Sequence, residues 1–370
     1  MNTAKNGNGA LDHGSGLEGV VVAETRLSDV DGERGRLVIA GHDVESLAGR
    51  VPFEGVCALL WRRDEASVRE ALGRGRRRAW ATLASLGGAL DAPDGMEALR
   101  AAVAHLRTHD APEDADIVGA VAVFAAAWAR RRRGLGLVAP DGTLGHAADC
   151  LRMIVGDTPD PARSAGLDAY LVTVSDHGMN ASTFTARVVA STASDTISAV
   201  VAAIGALKGP LHGGAPGPVL DMLDAIGAPD RAAAWLEGEV SAGRRIMGMG
   251  HRIYRVRDPR AKVLEDALVR LEASGLSTPR LALARAVERA AVGVLRARHP
   301  NRPLLANVEF YTAVLLDSLG LDRSLFTPMF AVARVAGWCA HVTEQRDTGR
   351  LIRPASRYCG PIPPPLEQRV

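Results

Sequence analysis

Apolar and polar positions recur along most of this chain with a helical period. In LALARAVERAAVGVLRA, Leu283, Val287, Ala290, Ala291 and Val294 follow at three- and four-residue spacing, while Arg285, Glu288 and Arg289 fall on other faces. VPFEGVCALLW repeats the pattern with Val56, Leu59 and Leu60 beside Trp61. Alanine-rich stretches at 97–107, 119–132 and 196–207 add intrinsic helix preference. Period-two alternation is rare; RLVIAGHDV alone predicts a short strand or turn, near Gly41. The expectation is an all-α protein, its helices joined by glycine- and proline-containing turns, behind a loose polar tail over residues 1–15.

Two interruptions of the helical pattern stand out. TVSDHGMNAST predicts a helix start near Ser182 or Thr183, with His177 just before it and Asn180 placed to orient neighbouring backbone. In LKGPLHGGAPGPV, Pro210, Gly213, Gly214, Pro216, Gly217 and Pro218 rule out an uninterrupted helix. His212 is thereby presented at a bend where backbone can approach a ligand closely.

Composition narrows the function classes. A chain of 370 residues can bury a large core and divide into two or three domains. Its formal charge is only +2, but the basic residues are 41 arginines against the three lysines Lys5, Lys208 and Lys262. Guanidinium is the better bidentate binder of carboxylate and phosphate. The densest run, Arg130 to Arg133, lacks an aromatic platform and reads as a helix end or interface patch, not a nucleic-acid site. Cys57, Cys150, Cys339 and Cys359 are too scattered for a disulfide framework or a short-spaced metal site, and Cys339 reads as a core thiol. No Walker motif or strand-linked GxGxxG suggests a nucleotide-binding domain. No stretch reads as a signal segment or a membrane span, so the expected setting is the reducing cytoplasm.

The candidate chemistry is dispersed. His212, His251 in MGMGHRIY and Glu309 in NVEFY are two imidazoles and a carboxylate that could abstract a proton beside a carbonyl, if folding gathers them. Val308 and Phe310 flank Glu309 and would raise its basicity by desolvation. Arg252, Arg255, Arg257 and Arg260 crowd nine positions and cannot all face one point; a subset would bind an anion while others pair with acids. Arg334, in FAVARVAGWCAH, sits among apolar residues and needs an anionic partner.

At these residues the chain resembles the citrate synthase family. The segments that carry the likeness are GLEGVVVAETRLSDVDGERGRLVIAGHDV, DHGMNASTFTARVVAST, LKGPLHGGA, IMGMGHRIYRVRDPRAK, NVEFYTAVLLD and FTPMFAVARVAGWCAHVTEQ followed by RLIRP, in that order across residues 16–361. The resemblance implies a helical, obligate homodimer of the short type. Its large domain would hold residues 1–212 and 316–370, and its small domain 213–315, with a cleft between them that closes on substrate. By the family pattern Glu309 takes a methyl proton from acetyl-CoA, His212 hydrogen-bonds the thioester oxygen of the enol, and His251 donates to the oxaloacetate carbonyl. His177, His251, Arg260 and Arg334 would bind oxaloacetate, completed by Arg353 from the neighbouring subunit. Arg255 would meet a CoA phosphate, and backbone near Gly213, Gly214 and Gly250 would seat the thioester and adenine. No metal or tightly held cofactor is implied, CoA being substrate and product.

Two positions depart from the family pattern. The catalytic acid is usually Asp where this chain has Glu309, and the residue after the first histidine is usually Glu where this chain has Gly178. Citrate synthase is the first expectation. The alternatives are 2-methylcitrate synthase, using propionyl-CoA, and a catalytically weak homologue that binds acyl-CoA or a dicarboxylate.

Overall fold

Helix forms almost wherever the apolar period is strong. The computed structural model describes residues 16, 17, 19–110, 113–213 and 216–362. Leu281–Arg298 is one helix that buries Leu283, Val287 and Ala291, with Ala290 and Val294 half-buried against the same core and Arg289 exposed. Phe53–Trp61 buries Val56 and Leu60. The alanine-rich stretches 119–132 and 196–207 lie in Asp114–Arg132 and Thr196–Lys208, whereas the helix Gly95–Val103 ends four residues short of the expected 97–107. Short Asp and Asn side chains repeatedly start helices by accepting a free first-turn amide: Asp64, Asp94, Asp195 and Asn180 all do so. The helix near residue 181 is therefore capped by Asn180, while Ser182 and Thr183 lie inside its first turn.

The long helix Phe326–Thr348 runs through the core and packs against Asp114–Arg132, Pro161–Val174, Ala181–Ala190 and Thr196–Lys208. It corrects one expectation. The stretch Arg323–Thr348 is long and apolar enough by composition to cross a membrane, which sequence reading had excluded for every segment. Its apolar window is 89% buried inside the protein, so its hydrophobicity is spent on the core.

The only sheet among the described residues is a small antiparallel one: β1 (Ser28–Asp31), β2 (Arg36–Ile39) and β3 (His42–Asp43). Ser28 pairs with Ile39 and Asp31 with Arg36, and Gly41 supplies the left-handed turn into β3 at φ +88°. Leu37 and Ile39 bury one face against the helices. Helix stops at Lys208 and resumes at Pro216, so the His212 segment is a turn as expected. Arg130–Arg132 close the Asp114–Arg132 helix, where Arg131 pairs with Asp91 and Arg132 lies over the Trp128 ring. All four cysteines are free, Cys57, Cys150 and Cys339 buried and Cys359 exposed. The tail expected over residues 1–15 lies outside the described residues.

Candidate active site

Folding brings His177, His212, His251, Arg260, Glu309 and Arg334 into one polar region. His177 precedes the helix Ala181–Ala190 in a turn that needs Gly178 in the left-handed region, at φ +56°. Asn180 holds that turn by donating to the carbonyls of His177 (3.4 Å) and Gly178 (3.2 Å). The His177 ring stands edge-on to His251, with centroids 5.8 Å apart, and its Nε2 lies 3.2 Å from the Tyr254 hydroxyl. Burial and the nearby Arg260 hold His177 neutral, well below the ordinary imidazole range.

The loop that carries His251 is bound to the entry of the helix Val308–Ser318. Gly250 N–H donates to the Leu305 carbonyl at 2.7 Å, and Asn307 Nδ2 donates to the Gly250 carbonyl at 2.8 Å. Asn307 also caps that helix by accepting from Glu309 N–H. Asp258 ties the same two segments. Its carboxylate accepts from Val308 N–H at 3.1 Å and forms a buried ion pair with Arg260 at 2.7 Å.

Hydrogen bonding assigns the imidazole tautomers. His251 Nδ1 accepts from the backbone amides of Ile253 (3.0 Å) and Tyr254 (3.1 Å), so in the neutral ring the proton sits on Nε2. Arg260 Nη2 approaches that Nε2 at 3.4 Å, one donor beside another. An oxygen placed between them would accept from both. His212 Nε2 receives the Ser182 amide at 3.3 Å and lies 2.8 Å from the Ser182 hydroxyl, which leaves Nδ1–H as its donor. Burial brings both imidazoles down to about 4, assisted by Arg260 at His251 and by Arg334 at His212. Both are therefore neutral donors near neutral pH.

Glu309 is the complementary group. Burial pushes its carboxyl up to about 7 against the opposing pull of Arg260 and Arg334, the value suited to a base working near neutrality. Arg334 is fully buried. Its Nε donates to the Val174 carbonyl at 2.6 Å, its guanidinium lies over the Phe330 ring, and its Nη2 has no partner among the described residues. Burial brings its pKa down to about 10, so it stays cationic and short of an anion. Phe330 also packs edge-on to the His212 ring. The region thus offers a base, two neutral N–H donors and two buried guanidiniums, one of them unsatisfied. That set can ionise an acidic C–H beside a carbonyl and bind a small dicarboxylate.

The remaining expected residues lie apart or are partly engaged. Arg255 is exposed, and its amide donates to the Gly32 carbonyl. Arg257 is drawn away into ion pairs with Glu265 and Glu288. Gly213 is buried where an added Cβ would meet the Leu207 carbonyl at 2.4 Å, and its own carbonyl accepts from Thr327. Gly214 lies outside the described residues. Arg353 is exposed on the extended C-terminal segment, where it lines a groove with Phe184, Gln345 and Ile352. Sequence reading missed Asp258, Tyr254, Ser182 and Phe330. Only Asp258 had a local signal: an Asp-Pro step at a helix start, with the aspartate accepting from Arg260 N–H at 3.0 Å.

Comparison with known proteins gives a consistent picture. The family model described as citrate synthase, C-terminal domain, matches residues 16–355. A citrate synthase of Haloferax volcanii is 38% identical, over 93% of this chain and 95% of its own. A 2-methylcitrate synthase of Mycobacterium tuberculosis is also 38% identical, over 96% of this chain and 91% of its own. The ternary complex of citrate synthase from Thermoplasma acidophilum with carboxymethyl coenzyme A and oxaloacetate superposes with a TM-score of 0.83 at 26% identity, covering 96% of this chain and 98% of that one.

Proposed function

The chain belongs to the citrate synthase family, and from that premise we propose a mechanism in which its own residues condense acetyl-CoA with oxaloacetate. It is an acyltransferase of the citrate synthase type. The observation that carries the mechanism is a carboxyl held at about 7 that shares Arg260 with the neutral donor His251 and Arg334 with the neutral donor His212. Glu309, ionised, removes a methyl proton of acetyl-CoA. His212 Nδ1–H donates to the thioester oxygen as charge develops there, stabilising the enol without a full proton transfer. His251 Nε2–H, with Arg260 beside it, donates to the ketone oxygen of oxaloacetate and makes its carbon electrophilic. The enol carbon attacks that carbon to give citryl-CoA, and water then cleaves the thioester to release citrate and CoA.

Oxaloacetate would lie against His177, His251, Arg260 and Arg334. The unpartnered Nη2 of Arg334 supports this reading, because a substrate carboxylate would supply the anion it lacks. Arg353 of a second subunit would take the other carboxylate in a homodimer, and Arg255 would meet a CoA phosphate. The cleft would lie between a large domain (1–212 and 316–370) and a small one (213–315) and exclude water when closed. Four free thiols accord with a reducing cytoplasmic setting. Purified protein given acetyl-CoA and oxaloacetate should yield citrate and free CoA in equal amounts. A folded protein that binds oxaloacetate yet forms no citrate would overturn the reading in favour of a ligand-binding homologue.

A second substrate reading has support of its own, since the 2-methylcitrate synthase relative is as similar in sequence as the citrate synthase one. One added methylene changes apolar pocket fit by only ~1–3 kcal/mol, so mixed specificity is physically reasonable. Comparing kcat/KM for acetyl-CoA and propionyl-CoA decides between them.

A further inference from the structure

A single surface element touches both loops that carry the oxaloacetate-facing histidines. The strand β1 begins at Ser28, whose hydroxyl accepts from Gly178 N–H at 2.8 Å and donates to Asp176 Oδ2 at 2.6 Å. Those two residues flank His177. Val30, two positions on, packs so closely that a Cβ at Gly178 would meet its Cγ2 at 3.3 Å. At the other end of the hairpin, Gly32 accepts from Arg255 N–H at 2.9 Å. The approach is tight: a Cβ on Gly32 would lie 2.4 Å from the Ile253 carbonyl, and one on Gly35 2.5 Å from Val256 Cγ2. Ile253 in turn donates its amide to His251 Nδ1, the bond that directs the His251 proton to Nε2.

We propose that the β1–β2 hairpin is a positioning element that holds His177 and His251 in register across the substrate, through Ser28 on one side and Gly32 on the other. The two rings come from segments 74 residues apart and meet with centroids 5.8 Å apart. The two loops meet directly at His177 Nε2 and the Tyr254 hydroxyl, 3.2 Å apart, and the hairpin adds a hydrogen bond to the backbone of each. Neither Ser28 nor Gly32 is among the residues placed against oxaloacetate above. They act by fixing where the two imidazoles stand, and the proposal rests on the oxaloacetate reading given above.

The test compares the full-length wild type with Ser28→Ala, Ser28→Thr and Gly32→Ala. Amide hydrogen exchange at Gly178 and Arg255 reads the hairpin's hold without substrate. Ser28→Ala should speed exchange at Gly178, Gly32→Ala should speed it at Arg255, and Ser28→Thr should restore protection at Gly178 because it keeps the hydroxyl. In turnover, Ser28→Ala should raise KM for oxaloacetate about tenfold, short of the ~100-fold that a full ångström of misplacement costs. KM for acetyl-CoA should stay within about twofold, and Ser28→Thr should recover most of the loss. Unchanged exchange at both amides overturns the proposal. So does a Ser28→Ala variant that weakens both substrates equally while its Tm falls, which would mark Ser28 as a stability residue only. If the wild type neither binds oxaloacetate nor turns it over, the functional reading fails, and the exchange experiment still decides whether the hairpin holds the two loops.

Discussion

Glu309 is the residue on which sequence and structure meet most directly. Its apolar neighbours Val308 and Phe310 foretold a raised basicity, and burial does push the carboxyl up to about 7. The base form therefore grows as pH rises through about 7, so kcat/KM for acetyl-CoA should climb across that range. His212 and His251, both at about 4, should add no second limb between pH 5 and 8. A profile flat down to pH 5 would count against Glu309 as the base. Glu309→Gln should lower the chemical step by about 100- to 10,000-fold, the contribution usual for a general base, while oxaloacetate binding survives. The same substitution should alter stability with a definite sign. A carboxyl raised in the folded state holds its proton more tightly there, so its contribution is full below about 4.5 and lost as pH rises through about 7. Relative to wild type, Glu309→Gln should gain Tm between pH 5 and 8, measurable by calorimetry. Glu309→Asp tests the departure from the usual acid. If the backbone here is fitted to the longer side chain, Asp will lose at least ~10-fold in single-turnover formation of citryl-CoA.

At the scale of elements, the helices were legible because their period is a local property of the chain. Leu283, Val287 and Ala291 announce their burial by spacing alone, and the prolines around His212 announce the break. The joins between elements were not legible. Asp258 binds Arg260 and the amide of Val308 at once, yet its second partner lies 50 residues away and nothing at position 258 points to it. The membrane-like composition of Arg323–Thr348 went unnoticed in the sequence, and only its burial tells it from a span, because a helix buried on all sides and a membrane span bury the same residue types. The Asp258–Arg260 pair is fully buried, and removing one partner strands the other charge. Asp258→Ala should therefore cost ~3–5 kcal/mol in denaturant unfolding. The exposed pair between Lys262 and Asp266 on the same helix offers the contrast: Lys262→Ala should cost at most ~1 kcal/mol. Equal losses for the two variants would show that the site-side pair carries no special weight.

At the scale of the molecule, the site within one chain has two buried guanidiniums, Arg260 already paired with Asp258 and Arg334 unsatisfied at Nη2. Arg353, the third expected for a dicarboxylate, is exposed on the C-terminal segment. That segment is tied back to its own subunit, through Gln345 Nε2 donating to the Arg350 carbonyl and Ile352 N–H donating to Ser191. Such tethering holds the segment that carries the exposed Arg353 against its own chain, and in the proposed homodimer a second copy would receive that side chain. Complementation tests this without a structure of the dimer. Arg353→Ala and Glu309→Gln should each be nearly inactive when expressed alone. In a hybrid dimer the Arg353→Ala subunit keeps its own Glu309 and receives Arg353 from its partner, so one of the two sites is whole. Random pairing of equal amounts puts half of the dimers in hybrid form, so co-expression should restore about a quarter of wild-type activity. If Arg353 instead serves its own subunit, every site in the hybrid lacks one of the two residues. Activity would then stay at the level of the single variants, and the shared-site arrangement would have to be abandoned.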